Sequence, residues 1–148
     1  MTLVHGVNHV AILTEDLDRF TDFYAGIFEL ETVFAEQAPA FRHAILRTGP
    51  HSWLHPAEIT GNPHGVAVPD MFTRGHLDHL ALTAASAEAF RAARNRLVEC
   101  GASDGKIEDL GAFRSIWFTD PDGMRGELVL ITDENLQGIH APVPLSTG

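Results

Sequence analysis

The 148-residue chain contains one cysteine, Cys100, one lysine, Lys106, and one tyrosine, Tyr24. A single cysteine excludes an intrachain disulfide and a thiolate-rich zinc site. Ten Lys and Arg stand against 20 Asp and Glu, a formal net charge of −10, with no basic run. Nucleic-acid phosphates and anionic membrane surfaces are therefore poor partners. No stretch approaches the roughly 18 consecutive apolar residues that a membrane-spanning helix needs. The opening Met1-Thr2-Leu3-Val4-His5 lacks a basic segment followed by an apolar core. The expectation is no signal peptide and a cytoplasmic location. A Gly-rich phosphate loop and a nucleophile elbow are also missing.

What is present is histidine: nine residues, His5, His9, His43, His51, His55, His64, His76, His79 and His140. Two of them lie in an internal repeat. Asn8-His9-Val10-Ala11-Ile12-Leu13 matches Asp78-His79-Leu80-Ala81-Leu82-Thr83 position by position, at an offset of 70. The same offset carries Phe20 onto Phe90 and Ile27 onto Leu97.

Alternation in both copies predicts a strand with an apolar face and a histidine face. Helices follow from 3.6-residue spacing. The first has Leu17, Phe20, Tyr24 and Ile27 in one stripe, with Asp16 as N-cap. The second has Ala87, Phe90, Arg94 and Leu97 along one side, with Ser86 as N-cap and Gly101 as stop. Three strands are predicted after each helix: 30–36, 41–47 and 51–57, then 106–110, 113–119 and 125–132. Asp120-Pro121-Asp122-Gly123 supplies the last turn. The pattern is βαβββ twice, an α+β fold. Residues 1–65 form the first module, 66–74 a linker, 75–132 the second module, and 133–148 a tail that docks or stays mobile.

His9 and His79 occupy equivalent places on the first strand of each module. Glu127 lies in the strongly strand-forming Arg125-Gly126-Glu127-Leu128-Val129-Leu130-Ile131, where a carboxylate needs a partner. Two histidines and a carboxylate make a facial triad with open positions, suited to Fe(II) and, in other geometries, to Mn, Co, Ni or Zn. A plain structural reading also fits: Glu127 facing water, and both histidines bonded to backbone carbonyls.

Val7-Asn8-His9-Val10-Ala11-Ile12, Asp22-Phe23-Tyr24, His76-Leu77-Asp78-His79-Leu80-Ala81-Leu82 and Phe118-Thr119-Asp120-Pro121-Asp122-Gly123-Met124-Arg125-Gly126-Glu127-Leu128 carry a resemblance over residues 5–132. The chain resembles the vicinal oxygen chelate superfamily, which includes glyoxalase I, fosfomycin- and bleomycin-resistance proteins and type I extradiol dioxygenases. The resemblance implies a cupped mixed sheet with helices outside. It also implies a site for one divalent metal at His9, His79 and Glu127, with Fe(II) or Mn favoured and Ni, Co or Zn as alternatives.

Glyoxalase I enzymes add a Glu on the last strand of the first module. Here Trp53, or His55 on the same face, stands there, which argues against ordinary glyoxalase I activity. The resemblance thus favours an extradiol-dioxygenase-like enzyme acting on a small substrate with vicinal oxygens. The alternatives are a metal-dependent lyase, isomerase or transferase, and a metal-free binding or antibiotic-sequestering resistance protein. His55 is the candidate acid–base residue, with His43, His51, His76 and His140 behind it. Trp53 and Trp117 are candidate substrate walls. A homodimer is expected, its sites built within one chain or across two. The resemblance to fosfomycin-resistance proteins also implies a site rich in cations for a phosphonate; the candidates here are few, Arg42, Arg47, Arg114 and Arg125, and alternation does not place them all inward.

Overall fold

The computed structural model describes residues 3, 6–65, 74–75 and 77–134, and the backbone of 139–144. His5, His76 and linker residues 66–73 lie outside the described residues, as does the side chain of His140. The chain groups into two compact units, Met1–Ala67 and Val68–Gly148.

The first unit runs β1 (His9–Thr14), α1 (Leu17–Phe28), β2 (Glu31–Ala38), β3 (Phe41–Gly49) and β4 (Ser52–Ile59). Its sheet has the order β1-β4-β3-β2, with β1 parallel to β4 and the remaining pairs antiparallel. α1 starts where Asp16 accepts the Arg19 backbone N–H at 3.0 Å. The Glu58 carboxylate, reaching across from β4, accepts the Leu17 N–H at 2.8 Å. Both place negative charge at a helix N-terminus, where exposed N–H groups need acceptors. The helix buries Leu17, Phe20, Tyr24 and Ile27 over Ile12, Ala44, Leu46 and Leu54. Pairing of β3 with β4 is interrupted between His43↔Ala57 and Leu46↔Leu54, around Pro56, which has no N–H to donate.

The second unit repeats the order: β5 (Leu80–Thr83), α2 (Ala87–Glu99), β6 (Glu108–Gly111), β7 (Phe113–Thr119) and β8 (Arg125–Ile131). A ninth strand, β9 (Ile139–Pro144), pairs antiparallel with β6 and extends the sheet to β5-β8-β7-β6-β9. This strand lies in the segment read from sequence as a tail. Ser86 caps α2 through the Ala89 N–H at 3.1 Å. The helix buries Phe90, Ala93 and Leu97, and Ile116, Phe118 and Leu128 form the core of the sheet. Between β7 and β8, Asp120 Oδ1 accepts the backbone N–H groups of Asp122 (3.0 Å) and Met124 (2.8 Å), while Gly123 takes a φ of 84°. This closed turn sets the register Trp117↔Glu127 and Phe118↔Gly126. No described helix is long and apolar enough to cross a membrane.

Strand registers sort the side chains. In the first unit His9, Ala11, Trp53, His55, His43 and Arg47 share the face opposite α1. In the second, Ala81, Ser115, Trp117, Arg125, Glu127 and Val129 share the face opposite Ile116, Phe118 and Leu128. His79, two residues before Ala81, belongs to it.

Candidate metal and acid–base site

On the second unit, parallel pairing of Ala81 with Glu127 brings the start of β5 beside β8. His79 Nε2 lies 3.4 Å from Glu127 Oε2. The opposite ring nitrogen, Nδ1, is 2.6 Å from Asp78 Oδ2. With its hydrogen on Nδ1, donated to Asp78, the imidazole turns the Nε2 lone pair toward the carboxylate. Two acceptors facing at that distance suit a metal cation between them. Glu127 is 5% exposed, and its other oxygen accepts the Ser115 hydroxyl. Ser115 is completely buried and sits two residues before Trp117 on the same strand face. The Trp117 and His79 rings form a T-shaped pair, with planes at 77° and centroids 4.8 Å apart. Its indole N–H donates to Glu108 at 3.3 Å.

The first unit repeats part of this plan. His9 Nδ1 lies 2.8 Å from Asn8 Oδ1, so the preceding residue again anchors Nδ1 and leaves the Nε2 lone pair to other partners. Asn8 and Asp78 occupy equivalent repeat positions. An aligned polar residue before each histidine was the available signal for this anchoring role.

Beside His9 runs a hydrogen-bonded chain. The rings of His9 and His55 have centroids 5.9 Å apart. His55 Nε2 is 2.9 Å from His43 Nδ1, and His43 Nε2 is 3.0 Å from Glu36 Oε2. Neutral His43 gives its hydrogen on Nε2 to Glu36 and offers the Nδ1 lone pair to the His55 Nε2–H. That tautomer leaves His55 Nδ1 with a free lone pair. Burial, and then the neighbouring His43 and His9 imidazoles, lower the His55 pKa from its ordinary value. Phe34 and Phe41 flank His43, with centroids 5.5 and 4.8 Å from it.

Of the three residues read as metal ligands, the structure thus places His79 and Glu127 together, and His9 in the other unit. Among the described residues no group of three or more His, Cys, Asp or Glu is gathered for a metal ion. Taken one by one, these donors fit a divalent ion in chemistry, since an imidazole nitrogen opposite an anchored Nδ1 and a shielded carboxylate are ordinary transition-metal ligands. Trp53 pairs with His9 across the β1–β4 ladder. Sequence reasoning missed Ser115, Asp78, Asn8 and the Glu36–His43 support of His55. Most of these contacts depend on strand register, which one-dimensional alternation does not supply.

Comparison with known proteins agrees with this architecture. The model of the glyoxalase/bleomycin resistance protein/dioxygenase superfamily matches residues 6–128. No curated protein matches the chain. A glyoxylase/bleomycin resistance protein/dioxygenase domain from Frankia sp. EAN1pec superposes with a TM-score of 0.72 at 23% identity, covering 86% of this chain and 98% of its own. A glyoxalase family protein from Enterococcus faecalis gives 0.66 at 23% identity, covering 86% and 99%. The fosfomycin resistance protein FosX from Listeria monocytogenes gives 0.62 at 20% identity, covering 85% and 92%. It was crystallised as a point mutant with Mn(II) and 1S,2S-dihydroxypropylphosphonic acid. At these identities the superpositions speak to fold, while the family model spans most of the chain: the protein belongs to the glyoxalase/bleomycin resistance protein/dioxygenase superfamily.

Proposed function

We propose that this protein is a divalent-metal-dependent enzyme acting on a small substrate with two neighbouring oxygens, and that its ligands are His9, His79 and Glu127. The observation that carries the reading is the His79–Glu127 pair, whose 3.4 Å approach and outer supports from Asp78 and Ser115 aim both donors at one point. His9 completes the set from the first module, within the chain or across a homodimer. A bound divalent ion would supply Lewis-acid stabilisation of a substrate oxyanion and lower the pKa of a coordinated hydroxyl.

The chain's own residues do the remaining work. His55 takes the proton at Nδ1, because His43, backed by Glu36, holds its Nε2–H. A lowered pKa keeps this base neutral near pH 7 and ready to accept. Trp53 and Trp117 wall the substrate. With no carboxylate at Trp53 or His55, the donor set matches the extradiol-dioxygenase type better than glyoxalase I, and Fe(II) or Mn is the favoured ion. Lyase, isomerase or transferase chemistry would use the same ligands. A cytoplasmic homodimer completes the reading.

Element-resolved metal content of untagged, anaerobically purified protein tests it. The expected result is about one Fe or Mn per chain. An ion bound only to the folded state at 100 times its Kd stabilises by about 2.7 kcal/mol. Chelation should then lower the Tm by roughly 5–10 °C for a chain of this size. No metal after reconstitution, with an unchanged melt, overturns the proposal in favour of a metal-free binder.

Ser115 offers a finer check. Ser115→Ala removes the donor that holds one Glu127 oxygen and frees the carboxylate to rotate. Metal affinity, read by competition with a chromophoric chelator, should fall roughly 10- to 100-fold. An unchanged affinity would remove Ser115 from the site.

A further inference from the structure

We propose that His43 and His55 form a metal site of their own, which takes an imidazole-preferring divalent ion such as Zn(II), Ni(II) or Cu(II) and in doing so disables His55 as a base. The site rests on the first unit alone; its effect on the base rests on the functional reading above.

The sheet builds the pair. β3 and β4 set His43 opposite Ala57, and His55 stands two residues before Ala57 on the same face, so the two imidazoles meet on the diagonal. His43 Nδ1 and His55 Nε2 are 2.9 Å apart. An ion with metal–nitrogen bonds of about 2.0–2.1 Å holds two nitrogens about 2.9 Å apart at a right angle and about 3.4 Å apart in a tetrahedron. The rings thus stand at the spacing of two neighbouring positions around a tetragonal or octahedral ion, and a parting of about 0.5 Å suits tetrahedral Zn(II). Glu36 Oε2, 3.0 Å from His43 Nε2, holds the hydrogen on the far nitrogen and makes Nδ1 the donor, the carboxylate–histidine arrangement that supports metal ligands. Phe34 and Phe41 pack beside the His43 ring and limit its rotation. The ladder partners are small, Ala57 opposite His43 and Ala11 opposite His55, and take up little of the space that coordinated water needs. The His43 side chain is 16% exposed, so an ion reaches it from solvent.

Metal binding and base catalysis need opposite tautomers of His55. Without the ion, Nε2 carries the hydrogen donated to His43, and Nδ1 has the lone pair. With the ion, Nε2 gives its lone pair to the metal, its proton passes to water, and a proton from water fills Nδ1. The ring is neutral before and after, and no net proton is released. An imidazole with its hydrogen on Nδ1 accepts no proton there. An excess of such an ion therefore silences the base without engaging His9, His79 or Glu127. Two neutral nitrogens with no carboxylate beside them also discriminate among ions: they favour the imidazole-preferring metals over Mn(II), which prefers oxygen ligands.

The test titrates the metal-free protein with Zn(II) and, in parallel, with Mn(II), read by calorimetry and by competition with a chromophoric chelator, so no turnover is needed. Zn(II) should show two events per chain, of which the weaker has no counterpart with Mn(II). His43→Ala should abolish the weaker event and keep the tighter. Glu36→Gln, at a side chain 61% exposed, should leave the fold intact and weaken that same event roughly tenfold. Carbon-13 shifts of the imidazole rings read the tautomer, and saturation with Zn(II) should move the His55 hydrogen from Nε2 to Nδ1. Zn(II) binding that is the same in His43→Ala and Glu36→Gln as in the native protein overturns the inference and marks adventitious binding at another histidine. An unchanged His55 tautomer, or a weaker event shared equally by Mn(II), overturns it too. Glu127→Ala separates the two readings. Loss of the tighter event with the weaker one kept upholds both. A single event, lost in His43→Ala and untouched by Glu127→Ala, removes the ligand set read above and upholds this site.

Discussion

Glu127→Ala protein should bind Fe(II) or Mn(II) more than about 100-fold more weakly than the native chain, beyond the 10- to 100-fold typical of an outer-shell change. Glu127 is one of the two donors the second unit brings together, and the only anionic one. Its removal takes away both a ligand atom and the charge that offsets the ion. Content after dialysis should drop below about one-tenth of an ion per chain on that affinity loss. The fold should survive. Glu127 is buried, and replacing a buried carboxylate relieves its desolvation cost while leaving the Ser115 hydroxyl without this acceptor. Those terms oppose each other at roughly 1 kcal/mol each way. Metal-free melts of native and variant should therefore nearly coincide, and the Tm difference between metal-loaded and chelated protein should vanish in the variant. Glu127→Gln keeps the shape and an oxygen for Ser115 yet should lose metal almost as completely, which separates a ligand role from a packing role. Native-like metal content in either variant would show that Glu127 is not a ligand.

Much of this site is legible in the sequence because the chain states it twice. The match of Asn8-His9 with Asp78-His79 fixes two equivalent strand starts, and alternation puts each histidine opposite its helix. Glu127 stands out because a carboxylate inside Arg125–Ile131 contradicts the run of apolar residues around it. The helix ends are readable from short-range chemistry, as Asp16 and Ser86 cap where expected. The relations that one strand makes with another are not readable in that way. Ser115 reaches Glu127 because it stands two pairs along the β7–β8 ladder on the same face, and His43 reaches His55 across β3–β4 on the diagonal. Each depends on a register set by turns and by ladder irregularities such as the shift between Arg47 and Gly49. The fifth strand of the second sheet was equally hidden. Ile139–Pro144 contains two prolines and no alternation strong enough to predict a strand, and it forms at the edge beside β6, where prolines are tolerated.

Gly126→Ala should be the most destabilising single-methyl change in the second unit. Gly126 has no positive φ, so its backbone would accept alanine. The same substitution at an unhindered site would stabilise by about 0.4–1 kcal/mol through the unfolded chain. Space reverses the sign. A Cβ built on Gly126 falls into the ring of Phe118, its cross-strand partner. Phe118 is 3% exposed and belongs to the core of the sheet, so the ring has nowhere to retreat without displacing other core atoms. Overpacking of this kind costs typically 1–3 kcal/mol, and the upper end is expected here. The Tm should fall by roughly 6–12 °C, read by circular dichroism on metal-free protein. Shrinking the opposing ring isolates the cause. Phe118→Ala alone should cost about 3–5 kcal/mol, but adding Gly126→Ala to it should cost little or nothing, a coupling that a double-mutant cycle measures directly. The site should register the same strain, because Gly126 precedes Glu127 and lies between β7 and β5 in the sheet. A β8 pushed away from Phe118 shifts the Glu127 carboxylate relative to His79, so metal affinity should weaken in Gly126→Ala and recover in the double variant if enough fold remains. A Gly126→Ala protein as stable as the native one would mean that the Phe118 ring turns aside at no cost, and that close packing beneath the carboxylate does not hold it in place.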